Sequence, residues 1–180
     1  MPSAAWESLR QQIIDKAVVR GQVVLSSGRT ADYYVDLRRV TLDAQAAVLV
    51  GQVMRELTSD LSFQAVGGLT LGADPVATAM LHSAAHDGVS LNAFVVRKEA
   101  KQHGLHRRIE GPEVDGLDVL AVEDTSTTGS SVLTAVDALA EAGAHVVAVA
   151  VIVDRGAGQA VRERGLEYRA AYQLSDLGLA

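Results

Sequence analysis

Residues 119–131 constrain the fold more than any other segment of the chain. They begin with four apolar residues, which predict a buried strand, and continue with two adjacent acids, Glu123 and Asp124. Small hydroxyl residues then surround Gly129, and an apolar-periodic helix begins at about Val132. The segment therefore predicts a strand, a short polar turn and a helix in immediate succession.

Strands and helices alternate through most of the chain. The predicted strands are residues 22–25, 32–36, 62–66, 91–96, 117–122, 145–153 and 167–173, and the predicted helices are residues 3–20, 43–57, 74–86, 132–142 and 159–164. Nearly continuous Val, Ile and Ala strands between helices indicate an α/β protein whose parallel sheet is covered on both faces. We expect one domain of 180 residues, with an N-terminal segment at residues 1–42 ahead of an α/β core at residues 43–180.

The composition argues against several classes of protein. The chain has no Cys, so it has neither a disulfide scaffold nor a Cys-ligated metal site, and we expect a reducing, cytoplasmic location. We expect no signal peptide and no membrane partner, because no apolar run reaches the ~18 residues of a membrane span. The net charge of −6 disfavours nucleic acid as a partner.

A cluster of cations interrupts this acidic background. Residues 97–108 hold five of the 16 Lys and Arg residues and lie between two predicted core strands. A solvated surface loop would carry the same charges, but this loop leaves the edge of the sheet where ligands bind. Loops of about 20 residues in compact domains are usually functional or disordered. The cluster therefore predicts binding of a polyanion.

The turn at residues 123–131 offers two kinds of chemistry to a phosphorylated sugar. Carboxylates accept hydrogen bonds from ribose hydroxyls, while backbone N–H groups, Thr and Ser hydroxyls and a helix N-terminus bind phosphate. An ordinary capped turn between a strand and a helix is the alternative. The four apolar residues before the acids and the helix directly afterwards exceed what such a turn requires. A Walker-type loop is excluded, because the chain has no Gly-Lys-Ser/Thr.

Residues 119–131 resemble the phosphoribosyl-pyrophosphate (PRPP) motif of type I phosphoribosyltransferases, an apolar strand followed by two acids and a Thr-Thr-Gly-type loop. Three further segments resemble orotate phosphoribosyltransferases. They are the Ser-Gly-Arg…Tyr-Tyr segment at residues 27–34, the Arg-Lys-Glu-x-Lys-x-His-Gly loop at residues 97–104, and the base-recognition segment at residues 154–156. The likeness covers residues 20 to 158 or so. It implies the type I fold, a parallel-sheet core with a small N-terminal hood of helix and short strands.

The resemblance also implies the reaction, which joins orotate to PRPP and releases orotidine 5′-monophosphate and pyrophosphate. It implies Asp124, Lys101 and His103 as catalytic residues, and Thr127 and Arg155 as orotate contacts. The implied PRPP contacts are Arg97, Lys98, Lys101, His103, Glu123, Asp124, Thr125, Ser126, Thr127, Thr128, Gly129, Ser130 and Ser131. The implied cofactor is Mg²⁺, without direct protein ligands. We further expect a homodimer, in which the basic loop reaches the neighbour's site and closes as a lid over pyrophosphate.

The chain departs from the family's pattern at three places. The first acid is Glu123 rather than Asp, and it still offers two oxygens. Ser27 stands where some branches carry Lys, and residues 70–72 lack the Lys that some branches carry in that loop. More of the pyrophosphate binding is therefore expected from the basic loop, from metal or from backbone N–H groups near Gly67 and Gly68.

Two other functions are also compatible with the sequence. A type I transferase acting on a purine or uracil would share the PRPP motif, although the basic loop argues against it. A PRPP-sensing regulator without turnover would need a nucleic-acid surface, which the net charge disfavours. A zinc site at His82 and His86, four residues apart on a predicted helix, lacks an evident third ligand.

Overall fold

The protein is described by a computed structural model at residues 2–24, 30–99 and 108–179. Its helices are α1 (Ala4–Gln12), α2 (Arg38–Thr41), α3 (Ala46–Leu57), α4 (Ala73–His86), α5 (Ser130–Glu141) and α6 (Gly158–Glu163). Its strands are β1 (Val18–Val24), β2 (Thr30–Val35), β3 (Ala65–Leu69), β4 (Asn92–Val96), β5 (Ile109–Glu110), β6 (Asp118–Ser126), β7 (His145–Asp154) and β8 (Tyr168–Gln173). A π-helical turn spans Ile13–Ala17, and a 3₁₀ helix spans Leu174–Leu177.

The core is a six-stranded sheet in the order β5-β4-β3-β6-β7-β8. Strands β3, β4, β6, β7 and β8 run parallel, while the short edge strand β5 pairs antiparallel with β4. Residues 148–153 of β7 are fully buried, because apolar clusters cover both faces of the sheet. The predicted α/β class with a parallel-sheet core is confirmed.

The N-terminal segment packs firmly on this core. The Trp6 indole N–H donates to the Ala171 carbonyl at 2.8 Å, and the Tyr172 hydroxyl donates to the Trp6 carbonyl at 2.8 Å. Leu9 of α1 is fully buried in the same apolar cluster as α3. Strands β1 and β2 form a separate antiparallel pair. The division of the chain at residue 42 stays a prediction.

Several predicted boundaries are wrong. The predicted helix at residues 3–20 ends at Ala17, because Val18 pairs with Val35 and begins β1. The third predicted strand begins at Ala65 rather than at Ser62. The loop predicted at residues 97–116 contains β5, whose Ile109 pairs with Val96.

The order of the strands brings the candidate site together. Strands β3, β6 and β7 are neighbours in the sheet, so the loops at their carboxyl ends lie side by side. These loops contain residues 70–72, 127–129 and 155–157. None of the helices in the described ranges is long and apolar enough to cross a membrane.

Candidate active site

Glu123 and Asp124 lie within β6 instead of following it. The strand was predicted to end at Val122, but its ladder with β7 continues as far as Ser126, which pairs with Asp154. The long apolar strand β7 supplies the partner that makes this extension possible. The two acids are therefore held by the sheet itself, which fixes their backbone more rigidly than a loop would.

A cavity of about 580 Å³ opens beside the two acids at the carboxyl edge of β3 and β6. Its walls come from the end of β2, the start of α2, the loop after β3 and the start of α5. The lining residues are Tyr34, Val35, Asp36, Leu37, Arg38, Leu69, Thr70, Leu71, Gly72, Lys98, Glu123, Asp124, Thr125 and Ser131. The cavity thus joins the N-terminal segment to the core.

The two carboxyl groups compete for ionisation. Burial first, and then the charge of Asp124, raise the pKa of Glu123 to about 8. Burial also raises the pKa of Asp124, although the Thr125 N–H donates to Asp124 Oδ1 at 2.6 Å and opposes that effect. Two neighbouring buried carboxylates ionise together only at a cost. Near neutral pH the pair therefore retains a proton, held chiefly by Glu123.

The absence of a side chain at Gly72 makes room for these two carboxyl groups. A Cβ atom on Gly72 would lie 2.2 Å from Glu123 Oε1 and 2.8 Å from Asp124 Oδ1. The Thr70 hydroxyl donates to Asp74 Oδ2 at 2.7 Å, which ties this loop to the first turn of α4. The peptide bond between Thr70 and Leu71 is cis. Any side chain at position 72 would displace the acids.

The turn after β6 presents polar groups to solvent. Gly129 has a φ of 78°, a conformation that favours glycine, and it precedes α5. This helix begins at Ser130, two residues before the predicted start. Thr127, Thr128, Ser130 and Ser131 are exposed, and the 12-residue helix directs its first N–H groups toward the same turn. The turn is suited to an anion such as phosphate.

The predicted site residues fall into three groups. Lys98, Glu123, Asp124, Thr125 and Ser131 line the cavity, and residues 127–130 form the adjacent turn. Lys101 and His103 lie outside the described residues, as do residues 100–107 of the predicted lid.

Three other predicted residues have structural contacts. The Arg97 side chain contacts Glu110 at 3.4 Å, across the β4–β5 pair. Ser126 is buried, and its carbonyl accepts the Arg155 N–H at 2.8 Å. That bond holds the turn after β7 against the turn after β6, so Arg155 lies near Thr127.

Asp36 and Arg38 were not among the predicted site residues. Both line the cavity, and Arg38 Nε donates to Asp36 Oδ1 at 3.0 Å. The Asp-x-Arg spacing directly after a strand was available in the sequence, but nothing local indicates that the N-terminal segment folds over the carboxyl edge of the core.

An apolar groove lies next to the cavity, between α2, α3 and α4, with a volume of about 760 Å³. Leu42, Val48 and Leu71 are exposed by 73%, 61% and 70% at or near its surface. His82 and His86 also line it. In the part of the chain that the structure describes, no group of three His, Cys, Asp or Glu side chains could hold a metal ion.

The fold and this site define the class of protein. Residues 40–167 match the family model of the phosphoribosyl transferase domain, so the chain belongs to the phosphoribosyltransferase family. Within that family it belongs with the orotate phosphoribosyltransferases. The Streptomyces avermitilis orotate phosphoribosyltransferase is 66% identical over 175 residues, covering 96% of each chain. That of Corynebacterium glutamicum is 60% identical over 177 residues, covering 97% of this chain and 95% of its own.

Solved structures agree with this family. The crystal structure of Mycobacterium tuberculosis orotate phosphoribosyltransferase with Fe(III) dicitrate has a TM-score of 0.89, at 55% identity, covering 97% of this chain and 99% of that one. The crystal structure of the same enzyme with PRPP has a TM-score of 0.85, at 51% identity and the same coverage. The family predicted from the sequence motifs is confirmed.

The raised pKa of Glu123 predicts how stability depends on pH. Its value is about 8 in the folded chain against an ordinary 4.5, so the unfolded chain loses this proton at lower pH. The stability that protonated Glu123 contributes is complete below about pH 4.5 and is lost as pH rises through about 8. The free energy of unfolding, measured with urea in the absence of ligand, should fall more steeply over this pH range in wild type than in Glu123→Gln.

The exposed Glu141 provides the matched control. Glu141→Gln removes the same type of charge from a side chain that is 71% exposed. Its free energy of unfolding should therefore change with pH as steeply as that of wild type. Equal slopes in wild type and Glu123→Gln would contradict the assigned environment of Glu123.

Proposed function

We propose that this chain catalyses transfer of the 5-phosphoribosyl group from PRPP to orotate, giving orotidine 5′-monophosphate and pyrophosphate in UMP synthesis. The observation that carries the proposal is the largely buried pair Glu123–Asp124, which lines a cavity next to the hydroxyl-rich turn before α5. The highly similar relatives described above are orotate phosphoribosyltransferases, and that of Mycobacterium tuberculosis forms a PRPP complex.

Catalysis rests on positioning and electrostatics. The anomeric carbon gains oxocarbenium character in the transition state, while charge builds on the leaving pyrophosphate. Glu123 and Asp124 hold the ribose hydroxyls, and the turn at residues 127–131 holds the 5′-phosphate. Lys98, which lines the cavity, meets the pyrophosphate. Lys101 and His103 are proposed to join it there, and Arg97 to contribute charge at the base of the loop.

Asp124 is the proposed group for proton traffic. Glu123 retains its proton near neutral pH, because its pKa is raised to about 8. Burial also raises the pKa of Asp124, but the Thr125 N–H, a hydrogen bond with Glu123 and the charge of Arg38 each oppose that rise. The Asp124 carboxylate is thus available to accept a proton, while Glu123 can donate one to a ligand oxygen.

Orotate is proposed to bind between the N-terminal segment and the turn after β7. Thr127 and Arg155 are the proposed contacts. The hydrogen bond from the Arg155 N–H to the Ser126 carbonyl keeps the two turns together. A guanidinium at this position would suit the carboxylate of orotate.

Mg²⁺ is the proposed cofactor. When bound, it would neutralise the negative charge that develops on the leaving pyrophosphate. A Mg²⁺ ion carried near Glu123 and Asp124 would reduce the cost of ionising both carboxyl groups.

The proposed working form is a homodimer with shared sites, located in the cytoplasm. The apolar groove between α2, α3 and α4 is the proposed contact with a second copy, because exposed apolar patches of this kind mark interfaces. Arg38 and Leu71 line both the groove and the cavity. A second copy seated in the groove would therefore lie next to the site, within reach of its neighbour's basic loop. The lack of Cys suits a reducing compartment.

An assay of base preference tests the proposed function. Purified protein with PRPP and Mg²⁺ should release pyrophosphate when orotate is added, and only weakly with hypoxanthine, adenine or uracil. Pyrophosphate release is measured for each base at the same concentration. A preference for any of the other three bases would overturn the assignment, and PRPP binding without turnover of any base would indicate a regulator.

Asp124→Asn is expected to reduce kcat by about 10²- to 10⁴-fold, because it keeps the shape of the side chain but removes the proton acceptor. Asp137→Asn on the neighbouring helix α5 is the control. Asp137 pairs with Arg164 at the surface, so this variant should stay within about twofold of wild type. Activity of Asp124→Asn within about threefold of wild type would show that this carboxylate has no catalytic role.

Mixing two inactive variants tests the shared sites. Lys101→Ala and Asp124→Asn should each be weak alone, because each damages every site of its own homodimer. Mixed and allowed to exchange subunits, they should recover up to about a quarter of wild-type activity, if the basic loop and the acids of one site come from different subunits. Each variant incubated alone is the control. A fully active monomer at assay concentration would refute shared sites.

A further inference from the structure

The charges in the cavity are unbalanced for a substrate such as PRPP. PRPP brings a phosphate and a pyrophosphate, while the cavity already contains the carboxyl groups of Glu123, Asp124 and Asp36. Among the described residues that line it, Arg38 and Lys98 are the only cations. The loop at residues 70–72, which forms one wall, contains neither Lys nor Arg. Any positive charge at this wall therefore comes from a metal ion or from a side chain on another segment.

Arg38 lies on that wall. It is the first residue of α2, and α2 packs against α4, the helix that follows the loop at residues 70–72. Within the described residues, Arg38 and Leu71 are the two that line both the cavity and the apolar groove. Arg38 and Leu71 therefore lie between the cavity and the groove.

The guanidinium group is also oriented for a ligand. Its Nε donates to Asp36 Oδ1 at 3.0 Å, and Asp36 is itself only 27% exposed. Neither Nη1 nor Nη2 has a partner among the residues that the structure describes. The side chain is half exposed, so these two nitrogens remain open to an incoming oxyanion. A planar pair of N–H donors matches two phosphate oxygens.

We propose that Arg38 binds the pyrophosphate group of PRPP and of the product, supplying from α2 the cation that residues 70–72 lack. This inference rests on the proposed function. Asp36 acts as a positioning residue that holds the guanidinium group through Nε. Because negative charge grows on the pyrophosphate as its bond to the ribose breaks, the contact is stronger in the transition state than in bound PRPP. Arg38 therefore contributes to kcat as well as to substrate binding.

Two substitutions at position 38 separate charge from shape. Arg38→Gln removes the charge, while Arg38→Lys keeps it without the planar fork. Calorimetric titration with pyrophosphate and Mg²⁺ should show about tenfold weaker binding in Arg38→Gln or worse, with Arg38→Lys between that variant and wild type. Arg39→Gln is the matched control. Arg39 is the next residue, donates to the Lys16 carbonyl and does not line the cavity. The affinity of Arg39→Gln for pyrophosphate should therefore stay within about twofold of wild type.

A second ligand separates a specific contact from a general loss of positive charge. Ribose 5-phosphate reports on the turn at residues 127–131, and its affinity should be unchanged within about twofold in Arg38→Gln. In steady-state assays, Arg38→Gln should raise the KM for PRPP and lower kcat, while the KM for orotate stays within about twofold. The proposal would be overturned if Arg38→Gln lost as much affinity for ribose 5-phosphate as for pyrophosphate. It would also be overturned if Arg38→Gln bound pyrophosphate as tightly as Arg38→Lys does.

The experiment distinguishes this inference from the proposed function. Pyrophosphate titration needs neither orotate nor turnover, so it tests Arg38 even if the base is a different one. A wild-type protein that turns over orotate, combined with unchanged pyrophosphate affinity in Arg38→Gln, overturns the role of Arg38 alone. A wild-type protein that ignores orotate overturns the proposed function alone.

Discussion

The site depends on two carboxyl groups held side by side in a largely buried position at the end of β6. Burial and mutual repulsion keep a proton on the pair and raise the pKa of Glu123 to about 8. The backbone at Gly72 approaches so closely that a Cβ atom would collide with both acids. This arrangement costs free energy, and it persists because β6 is paired with β7 from Asp118 to Ser126. A ligand that donates hydroxyl hydrogens or brings a cation relieves the cost.

The order of the strands places other polar loops around the acid pair. Strands β3, β6 and β7 are adjacent, so three short loops converge on the same edge of the sheet. The loop after β3 approaches the acids, the turn after β6 directs the N-terminus of α5 toward solvent, and the turn after β7 is tied to Ser126. The N-terminal segment then covers this edge with residues 34–38. Each wall thus comes from a separate stretch of chain.

The predictions that succeeded depend on short-range patterns. Alternating apolar strands and helices predicted the parallel-sheet core, and residues 119–131 predicted a strand, a hydroxyl-rich turn and a helix around the two acids. The errors arose where a distant partner decides the outcome. Val18 continues a helical apolar pattern, yet it pairs with Val35, and β6 passes beyond Val122 because β7 is long. Residues 109–110 form a strand because β4 offers an open edge.

Local sequence was enough to predict the α/β class, the adjacent acids, the polar turn before α5 and the family, because these features lie in contiguous residues with a recognisable order. It could not reveal that Gly72 faces the acids, that Asp36 and Arg38 enter the cavity, or that Arg97 contacts Glu110. Those facts join residues separated by 13 to more than 80 positions. They follow from how the N-terminal segment, the loop after β3 and the end of β6 pack together, and packing between distant segments leaves no periodic trace in the chain.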